Sequence, residues 1–155
     1  MLKWLNLSAL VIVLDQLTKS FMVHWLELHQ TVEVVPFFNF TLAHNYGAAF
    51  SFLASAGGWQ RWFFVLLAVT ISIVLTIWLK RLPAHAKLEA TSLALILGGA
   101  LGNVIDRLIY GYVIDFLDVY YGSYHWPAFN IADSAICIGA VLLILDSFRN
   151  KTEPQ

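Results

Sequence analysis

The stretch 62–79, WFFVLLAVTISIVLTIWL, runs for 18 residues without a charge. As a helix it extends roughly 27 Å at about 1.5 Å per residue, close to a bilayer hydrocarbon core of about 30 Å. It reads as a membrane span. The rest of the 155-residue chain agrees, being 59% apolar, 15% aromatic and only 12% charged, with a mean hydropathy of +0.71. A soluble domain is usually about half apolar and about a quarter charged, so this chain has too few charges to coat a water-facing surface. Nine Lys/Arg oppose ten Asp/Glu, for a net charge of −1 and no basic run, which excludes a disordered chain and a nucleic-acid partner. The single cysteine, Cys137, excludes an internal disulfide and a Cys-based zinc site.

Three further segments can span. Residues 90–105 are apolar up to Asp106 and Arg107, 131–145 hold one acid, Asp133, and 4–26 are interrupted by Asp15, Gln16 and Lys19. The expected fold is an all-α polytopic membrane protein, a single domain over 1–155. Its spans lie at about 4–26, 62–79, 90–108 and 131–148, with outer segments of about 27–61 and 109–130. Lys3 and the apolar run behind it resemble the start of a signal peptide. Thr18-Lys19-Ser20 is a poor cleavage site, however, so the segment reads as a retained span.

Loop charge sets the expected orientation. Lys3, Lys80, Arg81, Lys87, Arg149 and Lys151 fall on one side, whereas the long 27–60 and 110–130 segments hold no Lys or Arg. Both termini are therefore expected in the cytoplasm. Trp4 and Trp78 fall at the inner boundary, and Trp25, Trp59, Trp62 and Trp126 at the outer one, as an aromatic belt would. In the outer 31–53 segment, Val32, Val34 and Phe38-Asn39-Phe40-Thr41-Leu42 alternate apolar and polar, with Pro36 between them, and predict a small antiparallel β segment. The Tyr- and Gly-rich 110–129 segment is expected as an aromatic loop.

Polar residues inside spans carry the functional information, because a charge at bilayer depth costs about 2.5–3.5 kcal/mol on insertion scales. Asp15 and Lys19, at i and i+4, share a helix face and can pair, either as a structural ion pair or as part of a substrate site. Gly98 and Gly102 have the spacing of close helix packing. Gly99, Asn103, Asp106 and Arg107 continue at helical spacing, turning one stripe from small to polar. Asp106 beside Arg107 could form only an interfacial charge pair, but Asn103 one turn before Arg107 favours a polar wall facing the bundle interior; Asp106 and Asp118 are expected to matter for stability more than for chemistry.

Asp115 and Asp133 lie 18 residues apart, too far for one helix face. Topology can unite them, since Asp115 lies just beyond the outer end of span three and Asp133 just inside span four. Two neighbouring carboxyls do not both ionise cheaply, so such a pair shares a proton and offers a base beside an acid. That arrangement activates water for attack on an amide. Alternatively, Asp133 caps span four and Asp115 is a loop acid. Other chemistries find little support. His24, His29, His44, His85 and His125 are scattered, Ser51, Ser55 and Ser134 lack a nucleophile-elbow context, and Cys137 reads as mid-span packing. No metal and no cofactor is expected.

Five motifs resemble the bacterial lipoprotein signal peptidase (signal peptidase II) family. They are Asp15-Gln16-x-Thr18-Lys19, Asn45-Tyr46-Gly47-Ala48-Ala49-Phe50-Ser51, Gly102-Asn103-Val104-Ile105-Asp106-Arg107, Val113-Ile114-Asp115-Phe116 and Phe129-Asn130-Ile131-Ala132-Asp133. They occur in the family's order. The resemblance implies an aspartic endopeptidase with four membrane helices in the bacterial inner membrane. It would remove the signal peptide from diacylglyceryl-modified prolipoproteins by cutting just before the lipidated cysteine. Asp115 and Asp133 match the catalytic dyad, and Asp15, Lys19, Asn45, Gly47, Asn103, Arg107 and Asn130 match residues that bind substrate or support the site. The implied partners are lipid-modified prolipoproteins and membrane lipids, with the enzyme a monomer. A rival reading is a small ion-coupled transporter using the intramembrane acids, although span two is uncharged and offers no relay to the cytoplasm. A structural scaffold would not need Asp133.

Overall fold

The computed structural model describes residues 2–47 and 57–151, with no side-chain detail at 150 and 151. Ala48, Ala49, Phe50 and Ser51 of the second motif, together with Leu53 and Ser55, lie outside the described residues. A 3₁₀ turn, Leu2–Trp4, leads into α1 (Leu5–Trp25), followed by β1 (Thr31–Val35), β2 (Phe38–Asn45), α2 (Trp59–Arg81), α3 (Lys87–Ile109), β3 (Val113–Tyr121), β4 (Tyr124–His125) and α4 (Ile131–Lys151). Each of the four α-helices is long and apolar enough to cross a membrane. Helix α2 reaches beyond the uncharged run at both ends, because Arg61 and Lys80 interrupt apolarity without interrupting the helix. It stops at Leu82, which is extended (ψ 139°), as the residue before Pro83 must be.

Helix α3 is the axis of the bundle and packs against α1, α2 and α4. Twelve of its residues are buried, against four in α2, so α2 presents most of its surface outward. Its outward side chains include Leu66, Ile73 and Val74, a surface suited to lipid rather than water. At one end of the bundle Leu75, Leu79, Ala90, Leu93 and Leu97 form an apolar cluster. At the other, Met22 and Leu26 of α1 pack with Leu42, Ile114 and Phe116, which seats a sheet on the helix ends.

That sheet has four antiparallel strands in the order β1-β2-β3-β4. The alternating residues 32–42 form β1 and β2, with Phe37 at φ 73° in the turn between them. The 109–130 segment holds more strand than its composition suggested. Its Val113–Tyr121 pairs with β2 from Phe38↔Val119 to Asn45↔Val113, and the pair Ala43↔Asp115 fixes where Asp115 sits. Gly111, at φ 88°, follows the end of α3 in the left-handed conformation and lets the chain turn directly into β3.

Candidate active site

Helix α4 starts where Asn130 caps it. The Asn130 Oδ1 accepts the Asp133 backbone N–H at 2.8 Å, satisfying a first-turn donor that would otherwise lack a partner. Asp133 therefore sits in the first turn, and the capping role left open for it belongs to Asn130. Asp115 comes from β3 and is buried at 2% exposure. The fully buried Asn130 also donates from Nδ2 to Asp115 Oδ1 at 2.7 Å, so one residue ends a loop, begins a helix and holds a carboxyl. Asn45 donates to the other Asp115 oxygen at 3.0 Å, and Asn103 donates to Asp133 Oδ1 at 2.7 Å.

Behind these amides lies an ion cluster. Lys19, 1% exposed, pairs with Asp15 and with Asp106 at 2.8 Å each and donates to Asn103 Oδ1 at 3.0 Å. The Asp15 Oδ1 accepts the Ala132 N–H at 2.9 Å, tying α1 to the first turn of α4. Arg107 donates to the Gly47 carbonyl at 2.8 Å and lies over the Phe64 ring at 5.2 Å, while the Gly47 N–H donates to Asn45 Oδ1 at 3.0 Å. Asp15, Lys19, Asn45, Gly47, Asn103, Arg107, Asp115, Asn130 and Asp133 thus gather around one spot.

They divide by position. Asn45, Asn103, Arg107, Asp115 and Asp133 border a cleft of about 740 Å³, whereas Asp15, Lys19, Gly47 and Asn130 stand behind it. Asp15 and Lys19 do not line it. The run from Trp126 to Phe129 also lines the cleft, as do Ser134, Ile136, Cys137 and Ile138 of α4. Cys137 is exposed there, which corrects the expectation that it is a mid-span packing residue. Burial, followed by the charge of Asp133, pushes the Asp115 carboxyl up from 3.8 to about 7, against the opposing hydrogen bonds of Asn45 and Asn130 and the charge of Lys19. His44, also on the cleft wall, has its pKa lowered by burial and by His29, and stacks on Tyr112 with ring centroids 3.8 Å apart. Among the described residues no group of three His, Cys, Asp or Glu side chains is placed to hold a metal ion.

The polar stripe of α3 does face the bundle interior, and Asp106 lies on it rather than in an interfacial pair with Arg107. Asp106 is 1% exposed, pairs with Lys19, accepts from Gln16 at 2.8 Å and accepts the Ile114 N–H at 3.1 Å. Adjacent residues on a helix do not face each other, and that geometric fact, together with Gln16 in the first motif, was the available signal. Asp118, outside the cleft, accepts from Asn39 at 2.9 Å and bonds His125 at 2.9 Å.

The glycines of α3 set the spacing. A Cβ on Gly98 would meet Ser8 and Val11 of α1 at 2.8 Å, and one on Gly102 would meet Asp15 Oδ2 at 2.8 Å. On Gly99 it would meet the Ala132 carbonyl and Ile136. Gly99→Ala is therefore expected to push the first turn of α4, and Asp133 with it, off α3. Overpacking of this kind costs about 1–3 kcal/mol, and a displacement near 1 Å at reacting groups lowers turnover by about 100-fold. A thermal melt beside a turnover assay checks both effects. Wild-type turnover would show that α4 absorbs the methyl elsewhere.

The sequence matches signal peptidase (SPase) II over residues 7–149. It is 60% identical over 149 residues to a lipoprotein signal peptidase of Alteromonas mediterranea, covering 96% of this chain and 82% of that one. It is 58% identical over 146 residues to a lipoprotein signal peptidase of Teredinibacter turnerae, covering 94% and 87%. A bacterial membrane enzyme solved by the in meso method at 2.3 Å superposes with a TM-score of 0.89 at 30% identity, covering 99% of this chain and 92% of that one. A second, solved at 1.9 Å, gives 0.81 at 32% identity over 93% and 91%.

Proposed function

Because the chain belongs to the signal peptidase II family, we propose that it is an aspartic endopeptidase of the bacterial inner membrane. On this reading it removes the signal peptide from diacylglyceryl-modified prolipoproteins by cutting just before the lipidated cysteine. The observation that carries the reading is the meeting of Asp115 and Asp133 on one cleft, each held by side-chain amides. With both termini cytoplasmic, the cleft lies near the outer face of the membrane. Acyl chains can then stay in the lipid while the scissile amide enters the polar end.

The roles of the two carboxyls follow from their surroundings. On this reading Asp115, whose pKa of about 7 keeps about half of it protonated at neutral pH, carries the shared proton, hydrogen-bonds the scissile carbonyl oxygen and gives it that proton as the oxygen gains charge. Asp133, which accepts from Asn103, takes a proton from water as the water oxygen attacks the carbonyl carbon. The tetrahedral intermediate collapses with cleavage of the C–N bond. The proton on Asp133 passes to the departing amine of the lipidated cysteine, and Asp115 recovers its own as the carbonyl re-forms. Water supplies all the atoms added. Arg107 on the cleft wall favours the carbonyl oxygen as it gains charge.

The test is cleavage of a diacylglyceryl-modified peptide by the purified protein, with the same peptide unmodified beside it. Cleavage on the N-terminal side of the cysteine, in the modified peptide only, is the expected result. Equal cleavage of both peptides, or of neither, would overturn the assignment of substrate.

A further inference from the structure

We propose that Asp106, which borders no part of the cleft, is a positioning residue that sets both members of the dyad at once. The proposal rests on the aspartic reading above. Asp106 comes from the last turn of α3 and meets three donors, Lys19 Nζ at 2.8 Å and the Ile114 N–H at 3.1 Å on Oδ2, and Gln16 Nε2 at 2.8 Å on Oδ1. Packing alone gives no reason for it. Asp15 already faces Lys19 at 2.8 Å, so Asp106 is a second carboxyl on one ammonium, with the Arg107 guanidinium shared electrostatically among Asp106, Asp115 and Asp133. Such a charge is retained at a cost unless its contacts do something else.

Two routes lead from it. On the first, Asp106 holds the N–H of Ile114 while Asn130 donates to the Ile114 carbonyl at 3.2 Å. The residue before Asp115 is thus pinned from both sides, and the strand cannot slide or rotate the catalytic carboxyl. On the second, Asp106 and Asp15 hold the Lys19 ammonium against Asn103 Oδ1 at 3.0 Å. Only the carbonyl end of a carboxamide accepts from an ammonium, so the Asn103 NH₂ is turned toward Asp133, at 2.7 Å. A flipped Asn103 would put an oxygen against the Asp133 carboxyl. A lysine on its flexible stem enforces this choice only while a carboxylate on α3 itself fixes the ammonium.

The experiment compares Asp106→Asn with Asp106→Glu, and runs Asp115→Asn in parallel, on the lipid-modified peptide. Asp106→Asn removes one negative charge behind Asp115, so the alkaline limb of kcat/KM is expected to move to lower pH. Its kcat is expected to fall by about 100-fold, with KM unchanged to within about twofold. Asp106→Glu keeps the charge but carries it one methylene away, so kcat falls and the limb stays. Wild-type kcat and an unmoved limb in Asp106→Asn would overturn the inference, as would failure of both variants to fold, because Asp106 would then serve the fold alone. Turnover by Asp115→Asn would instead sink the aspartic reading on which the inference rests.

Discussion

Asp115→Asn and Asp133→Asn are each expected to lower kcat on the lipid-modified peptide by about 10⁴-fold, with the double variant hardly worse than either single one. Asparagine keeps the size of the side chain but can neither take nor give the proton. Stability should move the other way for Asp115. Its native carboxyl titrates near 7 and its ordinary value is 3.8, so between those pH values the folded protein holds a proton that the unfolded chain has lost. Stability contributed by that proton is full below the lower value and is lost as pH rises through the upper one, at up to about 1.4 kcal/mol per pH unit. Asp115→Asn has no such slope and should melt higher than wild type at pH 7.5, by a margin that shrinks toward pH 4. An inactive but more heat-resistant protein is the signature. Asp118→Asn, away from the cleft, should alter the melting temperature without altering kcat. Near-normal turnover in either dyad variant would remove the mechanism.

Lys19→Met is expected to cost about 3–5 kcal/mol, the usual result of removing one partner from a buried ion group. The ammonium stands between Asp15 and Asp106, so its loss leaves two carboxylates facing each other. Adding Asp15→Asn should recover part of the loss, and adding Asp106→Asn as well should recover more, because a neutral cluster of similar shape carries little desolvation cost. Thermal melts across the full mutant cycle measure this coupling. Strictly additive losses would mean that the three side chains do not act as one group.

The helices were legible because charge is rare in this chain, and each interruption of an apolar run therefore meant something. The meeting of Asp115 and Asp133 at one end of the bundle was legible too, since they flank the same helix boundary. Strand β3 was not. Val113, Ile114, Asp115 and Phe116 are all buried, one face on the helix ends and the other on the cleft wall, so no alternation of polarity marks them as a strand. That Asp106 faces the interior was legible from its polar stripe, but its partners were not, because they arrive from α1 and β3. Asn130 was read as part of a motif, but its hold on a helix start, a strand carbonyl and a carboxyl depends on three-dimensional closure that no local pattern contains.

Three carboxamides, Asn45, Asn103 and Asn130, line the protein side of the two carboxyls. An amide orients its neighbours but neither stores nor passes on a proton near neutral pH. No proton passes between the dyad and the Lys19 ammonium through Asn103 under the proposed mechanism, and among the described residues the route to bulk water is the cleft mouth. Under the proposed mechanism the substrate itself closes that mouth. The proton count is fixed on entry and carried through the turnover like a sealed charge, so the acidity of the surroundings selects which enzyme molecules can begin a cut and has no say in how a cut, once begun, is finished.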